Sequence, residues 1–441
     1  MAAKSKQPVF ESWGRYPRID PHLETLFWMD DFPRGTRLPP EVLAVGMGRS
    51  YGDVCLLERG TMLSTRGMDR FIQFDSATGL LRCESGTTLA QILEFAVPRG
   101  WFLPVSPGTK YVSVGGAIAN DIHGKNHHVA GSFGNHVPRF ELVRSDGTRI
   151  LCSAEENPEL YAATIGGMGL TGLITWAEIQ LRTIASRKIR YESIKFNGID
   201  EFLSISSSNN HAEYTVAWID CVSRGRNFAR GIYMAGDHSE SVEIRKTSRE
   251  PRLTVPIDFP SWALNRTSMR LFNELYYRKQ LRRHVTGLID YEPFFYPLDS
   301  VLHWNRIYGK RGFLQFQCVV PWKYGREGII AILQNIADSG LASFLAVLKV
   351  MGERPSVGMM SFPQPGITLA LDIAIVPEVT FPLFERLGEM TRELGGRLYP
   401  AKDACMTGPQ FRSFYPQWRE FAEYRDPAFS SAFWERVTAD A

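Results

Sequence analysis

Residues 107–128 read PGTKYVSVGGAIANDIHGKNHH, and the fold turns on what so much glycine, small side chain and imidazole is for. Glycines let successive backbone N–H groups point into one concavity and bring the main chain against a ligand without side-chain obstruction, which suits a phosphate. Upstream, residues 45–53 read VGMGRSYGD and offer the same device. A tight turn explains one such loop. Two, the second rich in His, Lys and Asn, point to a phosphate-bearing cofactor.

Around these loops, residues 42–181 run as short β-like segments broken by glycine turns: VLAVGMG, LLRCESG, FLPVSPGT and finally LITWAEIQL. That spacing predicts a mixed sheet with many tight turns. TTLAQILEFAVPRG predicts one amphipathic helix, with Leu89, Ile92, Leu93 and Ala96 at helical spacing and Pro98 and Gly100 ending it. From roughly residue 190 to 395, strands (YTVAWID, GFLQFQCVV, ITLALDIAIV) again mix with helices (REGIIAILQNIADSG, TFPLFERLGEMTRELGG), predicting a sheet with helices on one face. The fold class is α+β. No internal repeat is present, and the tail after Gly396 is aromatic and charged, so it is expected to be ordered.

Gly167, Gly169 and Gly172 spell GxGxxG. In a Rossmann fold this motif follows a strand and opens a helix. Here NPELYAATI before it reads as a helix and LITWAEIQL after it as a strand, so the order is reversed and the dinucleotide reading is set aside. The glycines become a packed turn that can still touch a cofactor.

Composition narrows the classes. At 441 residues, with 44% hydrophobic and 22% charged residues, the chain has material for about two packed domains. A net charge of +3 lacks the basic bias of a nucleic-acid binder. The six cysteines are scattered without a CxxC pair, which fits a reducing compartment and gives neither a zinc site nor a disulfide framework. The N-terminus carries basic residues but no apolar signal core, and no run approaches a membrane span. A cytoplasmic protein is expected, peripheral at the inner membrane face. His123, His127, His128 and His136 have no carboxylate or cysteine at ligand spacing, so no metal is expected. In residues 262–284, WALNRTSMRLFNELYYRKQLRRH, aromatic and aliphatic residues interleave with Arg266, Arg270, Arg278, Lys279, Arg282 and Arg283. Such a segment suits an anionic membrane surface, and equally an ordinary surface helix.

The ordered set VGMGRSYGD, LRCESGTTLAQIL, LPVSPGT, VGGAIANDIHGKNHH and GGMGLTGLI resembles the PCMH-type FAD-binding domain of the vanillyl-alcohol-oxidase superfamily. Within it, HGKNHHVAGSFGNH, WNRIYGKRGFLQFQ, SFPQPG and GGRLYPAKD are similar to the decaprenylphosphoryl-β-D-ribose oxidases. These form the keto intermediate in the 2-epimerisation of ribose to arabinose on a polyprenyl carrier. The resemblance implies a two-lobed FAD-binding domain over residues 1–187, to which residues 397–441 return. Residues 188–396 would form a substrate domain with a mixed or antiparallel sheet covered by helices. It also implies FAD, a lipid-linked sugar phosphate substrate and a short-chain reductase that completes the epimerisation.

Carried over residue by residue, Gly46, Gly48, Arg49, Ser50, Tyr51, Gly52 and Asp53, with Ser113, Val114, Gly115 and Gly116, would wrap the pyrophosphate. Gly108, Asn120, Asp121, Ile122 and His123 would line the flavin, Ile174 would lie near the adenine, and Tyr399 would close the site. Covalent members carry a histidine in the first glycine loop; here the position after Gly48 is Arg49, so the FAD is expected to be non-covalent. A cysteine follows the SFPxPG block in mycobacterial relatives; here that position is Ala370, so no reactive thiol is expected beside the flavin.

Oxidising a secondary alcohol moves a hydride to the flavin while a base takes the hydroxyl proton. Lys402 of YPAKD is the first candidate, able to hold an anionic reduced ring or, if burial lowers its pKa, to act as base. Paired to Asp403 in solvent, it would do neither. Tyr51 and His123 are the other candidates. Lys125 and Lys349 would meet the substrate phosphodiester, Lys349 because it interrupts the apolar run FLAVLKV at a cost. Gln315 and Gln317 alternate on one strand face, which suits sugar hydroxyls and equally a polar exposed face. Two rival readings stay open: a free-sugar or aldonolactone oxidase of the same superfamily, and a flavin-binding protein without catalysis.

Overall fold

The computed structural model describes residues 10–32, 41–241, 253–260 and 262–439; the reading of the extreme N-terminus falls mostly on residues 1–9, outside them. The N-terminal part of the chain builds two small sheets. One is parallel, with Thr61–Ser64 between His22–Thr25 and Val42–Val45. The other is a five-stranded antiparallel sheet in which Leu173–Gln180 lies between Leu80–Glu84 and Arg139–Val143. The expected helix forms over Leu89–Ala96. Thr88 and Gln91 close a capping box at its start, Leu89, Ile92, Leu93 and Ala96 are its buried face, and Gly100 ends the following turn at φ 79°. Of FLPVSPGT only Phe102 is in a strand, Trp101–Phe102, which pairs with Arg182–Thr183. Pro104 and Pro107 have no N–H to give a ladder, so the rest stays a loop.

The middle of the chain forms one eight-stranded sheet, and every pairing in it is antiparallel. Helices Ile199–Ser208, Gly325–Asp338 and Pro377–Glu393 pack on one face of it. On the adjacent strands Tyr214–Ile219, Ala346–Met351, Gly366–Ala374 and Phe313–Pro321, the opposite face carries Val216, Val347, Lys349, Thr368, Ala370, Gln315 and Gln317 into a cavity. Two-residue periodicity thus puts apolar side chains under the helices and polar ones over the cavity.

The C-terminal segment returns to the first glycine loop. Tyr51 N–H donates to the Ala401 carbonyl and Val42 N–H to that of Ala428. Arg436, on the helix Ala432–Thr438, bonds both oxygens of Asp53 (2.7 and 2.9 Å) and one of Asp403 (3.0 Å). Asp53 and Asp403 are buried, so each negative charge is answered where water cannot screen it.

Candidate active site

A cavity of about 350 Å³ runs between the glycine loops and the polar face of the large sheet. Gly46, Gly48, Arg49, Ser50 and Tyr51 line it from the first loop, and Gly108, Ser113, Gly115, Gly116, Asn120, Ile122 and His123 from the second. Ile174 and Tyr399 also reach it, as do Gly169 and Gly172 from the reversed GxGxxG turn, which follows the helix Pro158–Thr164 and precedes the strand Leu173–Gln180.

The shape of the loops fits a nucleotide cofactor. A Cβ added at Gly46 would stand 2.1 Å from Ser113 Oγ, whereas one at Gly108 would meet nothing within 4 Å and project into open space. Gly48 adopts φ +62°, a left-handed conformation that glycine takes without cost. Four buried polar atoms of cavity-lining residues have no protein partner: Arg49 Nε, Ser85 Oγ, Asn120 Oδ1 and Thr368 Oγ1. Unsatisfied polar atoms are rare in interiors, and four around one cavity indicate a polar ligand there. Arg49 lies over the Trp13 ring at 4.1 Å, which leaves its guanidinium edge free to bond.

Four expected cofactor contacts lie elsewhere. Asp53 is turned to Arg436. Asp121 accepts from Gly134 N–H (2.8 Å) and the Ser361 hydroxyl (2.6 Å). Both carboxylates would repel a pyrophosphate, and both serve instead to fix the loops. Gly52 and Val114 do not line the cavity either. Gly52 is needed because a Cβ there would fall 1.8 Å from the Asp403 carbonyl, and Val114 is a fully buried core residue.

At the other end the chemical side chains meet. Lys349 Nζ lies 2.7 Å from His123 Nδ1 and donates to the Gly124 carbonyl at 2.5 Å. The Gln317 carboxamide lies 2.9 Å from His123 Nε2. Burial and the Lys349 charge push the His123 pKa well down, so its imidazole is neutral. Burial lowers Lys349 to about 7. Lys125 is lowered to about 8 by burial; its Nζ donates to the Phe295 carbonyl (3.3 Å), and no carboxylate pairs with it among the described residues. Lys402 turns inward, away from Asp403, with Nζ 4.0 Å from the centre of the Tyr51 ring; burial lowers its pKa. Tyr399 donates to the Asn120 carbonyl (2.7 Å) and stacks on Phe362.

Gln315 and Gln317 are both buried and line the cavity, so the exposed-face reading of that strand fails. Of the four imidazoles, His123 is engaged as above, His128 and His136 each bond a backbone carbonyl at 2.9 Å, and buried His127 has neither ring nitrogen bonded; among the described residues no three His, Cys, Asp or Glu side chains gather as a metal-ligand set. Ala370 lines the cavity as expected, but Cys55 does too, which its place outside any motif concealed. Burial pushes the Cys55 thiol up to about 12, so it is no nucleophile. Trp13, Asp299 and Trp304 also line the cavity and were not singled out from the sequence. Trp304 opens the quoted block WNRIYGKRGFLQFQ and Trp13 precedes Gly14, but only the tertiary fold brings them and Asp299 to the cavity.

Comparison with known proteins agrees with this geometry. Residues 37–153 match the FAD binding domain family model. The decaprenylphosphoryl-β-D-ribose oxidase of Mycolicibacterium smegmatis is 37% identical over 400 residues, covering 87% of this chain and 85% of that one. An uncharacterised Streptomyces coelicolor protein is 31% identical over 77% of this chain and 95% of its own. Cytokinin dehydrogenase 8 of Oryza sativa subsp. indica matches 38% of this chain and 33% of its own at 29% identity. With the cradle, the polar floor and this near full-length similarity together, the chain belongs to the decaprenylphosphoryl-β-D-ribose oxidase family and is an FAD-dependent oxidoreductase.

Proposed function

We propose that the protein oxidises the 2-hydroxyl of a polyprenylphosphoryl-ribose to the 2-keto sugar, the first half of a 2-epimerisation to arabinose. The observation that carries this reading is the charge on the cavity floor. Lys349 stands there buried and Lys125 half-buried, without a carboxylate between them, beside His123, Gln315 and Gln317. Two lysines withdrawn from bulk solvent without a counter-ion favour an anionic substrate, and the glutamines suit its sugar hydroxyls.

FAD, when bound, supplies the hydride acceptor. Gly46, Gly48, Arg49, Ser113, Gly115, Gly116 and Asn120 hold it in this reading, with Ser50, Gly108, Ile122, Ile174 and Tyr399, and no covalent link is made. Lys402, set between the Tyr51 ring and the cavity, takes the hydroxyl proton or stabilises negative charge developing beside it, and Tyr51 and His123 orient the reacting hydroxyl.

The same reading covers the wider assignments. Residues 1–187 and 397–441 form the cofactor domain and 188–396 the substrate domain. A short-chain reductase completes the epimerisation. No helix among the described residues is long and apolar enough to cross a membrane. Contact with a cytoplasmic membrane face would come through the helix Arg266–Lys279, where Leu271 and Leu275 are exposed between Arg266, Arg270 and Arg278.

The test is anaerobic addition of a polyprenylphosphoryl-ribose to the yellow protein. Bleaching by the lipid-linked sugar but not by free ribose or an aldonolactone is the expected result. Bleaching by the free sugar alone would assign the protein to free-sugar oxidation instead.

A further inference from the structure

One buried charge has no part in the chemistry described so far. Asp372 is fully buried on the strand Gly366–Ala374, where antiparallel register sets it directly opposite Gln315. Its neighbours two and four residues back, Ala370 and Thr368, line the cavity, so strand alternation places Asp372 at the inner end of the same row. The Gln315 amide donates to Asp372 Oδ1, and Oδ2 has no partner. A carboxylate in such a place is costly unless a cation answers it. Lys402 lines the same cavity as Gln315, the residue that holds Asp372, and its charge opposes the rise that burial imposes on the aspartate. Lys402 in turn has no ion-pair partner at contact distance among the described residues, only the face of Tyr51.

We propose that Asp372 is a positioning residue for the oxidation: as the buried counter-charge of Lys402, it sets whether that side chain meets the substrate as ammonium or as amine. The inference rests on Lys402 acting beside the reacting hydroxyl, as argued above. Desolvation raises the aspartate and lowers the lysine, while each charge opposes the shift of the other, so the two titrate as one system. The remaining groups around them do not compete. The Tyr51 and Tyr308 phenols are pushed well up by burial, and His123 is held neutral with Lys349 against its Nδ1. Arg49 and Asp299 act on Tyr51 rather than on the pair.

Asp372→Asn keeps the shape and an oxygen for Gln315 to bond while removing the charge. The limb of the pH profile for single-turnover flavin reduction that belongs to Lys402 is identified by its loss in Lys402→Met. In fully FAD-loaded Asp372→Asn that limb is expected to move toward lower pH by about one unit, because the lysine has lost the carboxylate that raised it. A limb that stays in place overturns the inference and leaves Lys402 its role. Wild-type reduction in loaded Lys402→Met, with no limb to assign, overturns both. Should Asp372→Asn fail to load FAD, the wild-type protein labelled with 13C at the aspartate carboxyl answers the same question. Its infrared difference spectrum on flavin reduction is expected to contain a change in a buried aspartate carboxyl band. A spectrum without one overturns the inference.

Discussion

Lys349 Nζ lies 2.7 Å from His123 Nδ1, across the two strands and one loop that bound the cavity floor. With Lys349 as ammonium, Nδ1 is the acceptor and the ring proton sits on Nε2; the Gln317 atom placed there is the amide nitrogen, itself a donor, so this tautomer requires the carboxamide turned to present its oxygen. The lysine thus orients the histidine as well as adding charge. Lys349→Met is therefore expected to do more than weaken phosphate binding. It should raise KM for a lipid-phosphate substrate and also slow flavin reduction about tenfold, because His123 loses its orientation. Steady-state and stopped-flow rates on the same loaded variant check this; a pure KM effect would return Lys349 to the role of a phosphate contact alone.

Lys125 gives a pH dependence with a definite sign. Its pKa is lowered to about 8 because burial disfavours the ammonium. The charged form is present below that pH and is lost as pH rises through it, so affinity for an anionic substrate should weaken from about pH 8 upward. KM measured against pH should rise on the alkaline side in wild type, and Lys125→Met should be weaker throughout and flatter in that range.

The cofactor should be released by denaturation. Of the cavity-lining side chains, Cys55, His123, Tyr51 and Tyr399 have the chemistry of flavin attachment; burial pushes both phenols well up, and Tyr399 donates to the Asn120 carbonyl. Burial pushes the Cys55 thiol up to about 12, and both His123 nitrogens are engaged. Acid precipitation is expected to leave the yellow colour in the supernatant. A yellow pellet would show a covalent link.

Much of this was legible in the chain itself. The capped helix Leu89–Ala96 and the strand Phe313–Pro321 follow from period and punctuation, and the alternation of Gln315 with Gln317 already put both on one face. The same alternation, applied to ITLALDIAIV, would have put Asp372 in phase with Ala370; the residue was passed over because a lone acid in an apolar strand carries no motif. Asp53 and Asp121 went the other way. They sit inside glycine loops that line the cavity, yet their partners Arg436 and Ser361 lie hundreds of residues away, and only the folded chain shows the carboxylates turned from it. Trp13 under Arg49 is hidden for the same reason.

The central claim is that Lys402 acts on the reacting hydroxyl, and Lys402→Met tests it most directly. With FAD occupancy measured first, anaerobic stopped-flow reduction by a polyprenylphosphoryl-ribose should be slower than wild type by on the order of a hundredfold, as when one proton-transfer or charge-stabilising group is removed. Reduction of the fully loaded variant at close to the wild-type rate would contradict the account and leave His123 and Tyr51 as the groups beside the hydroxyl.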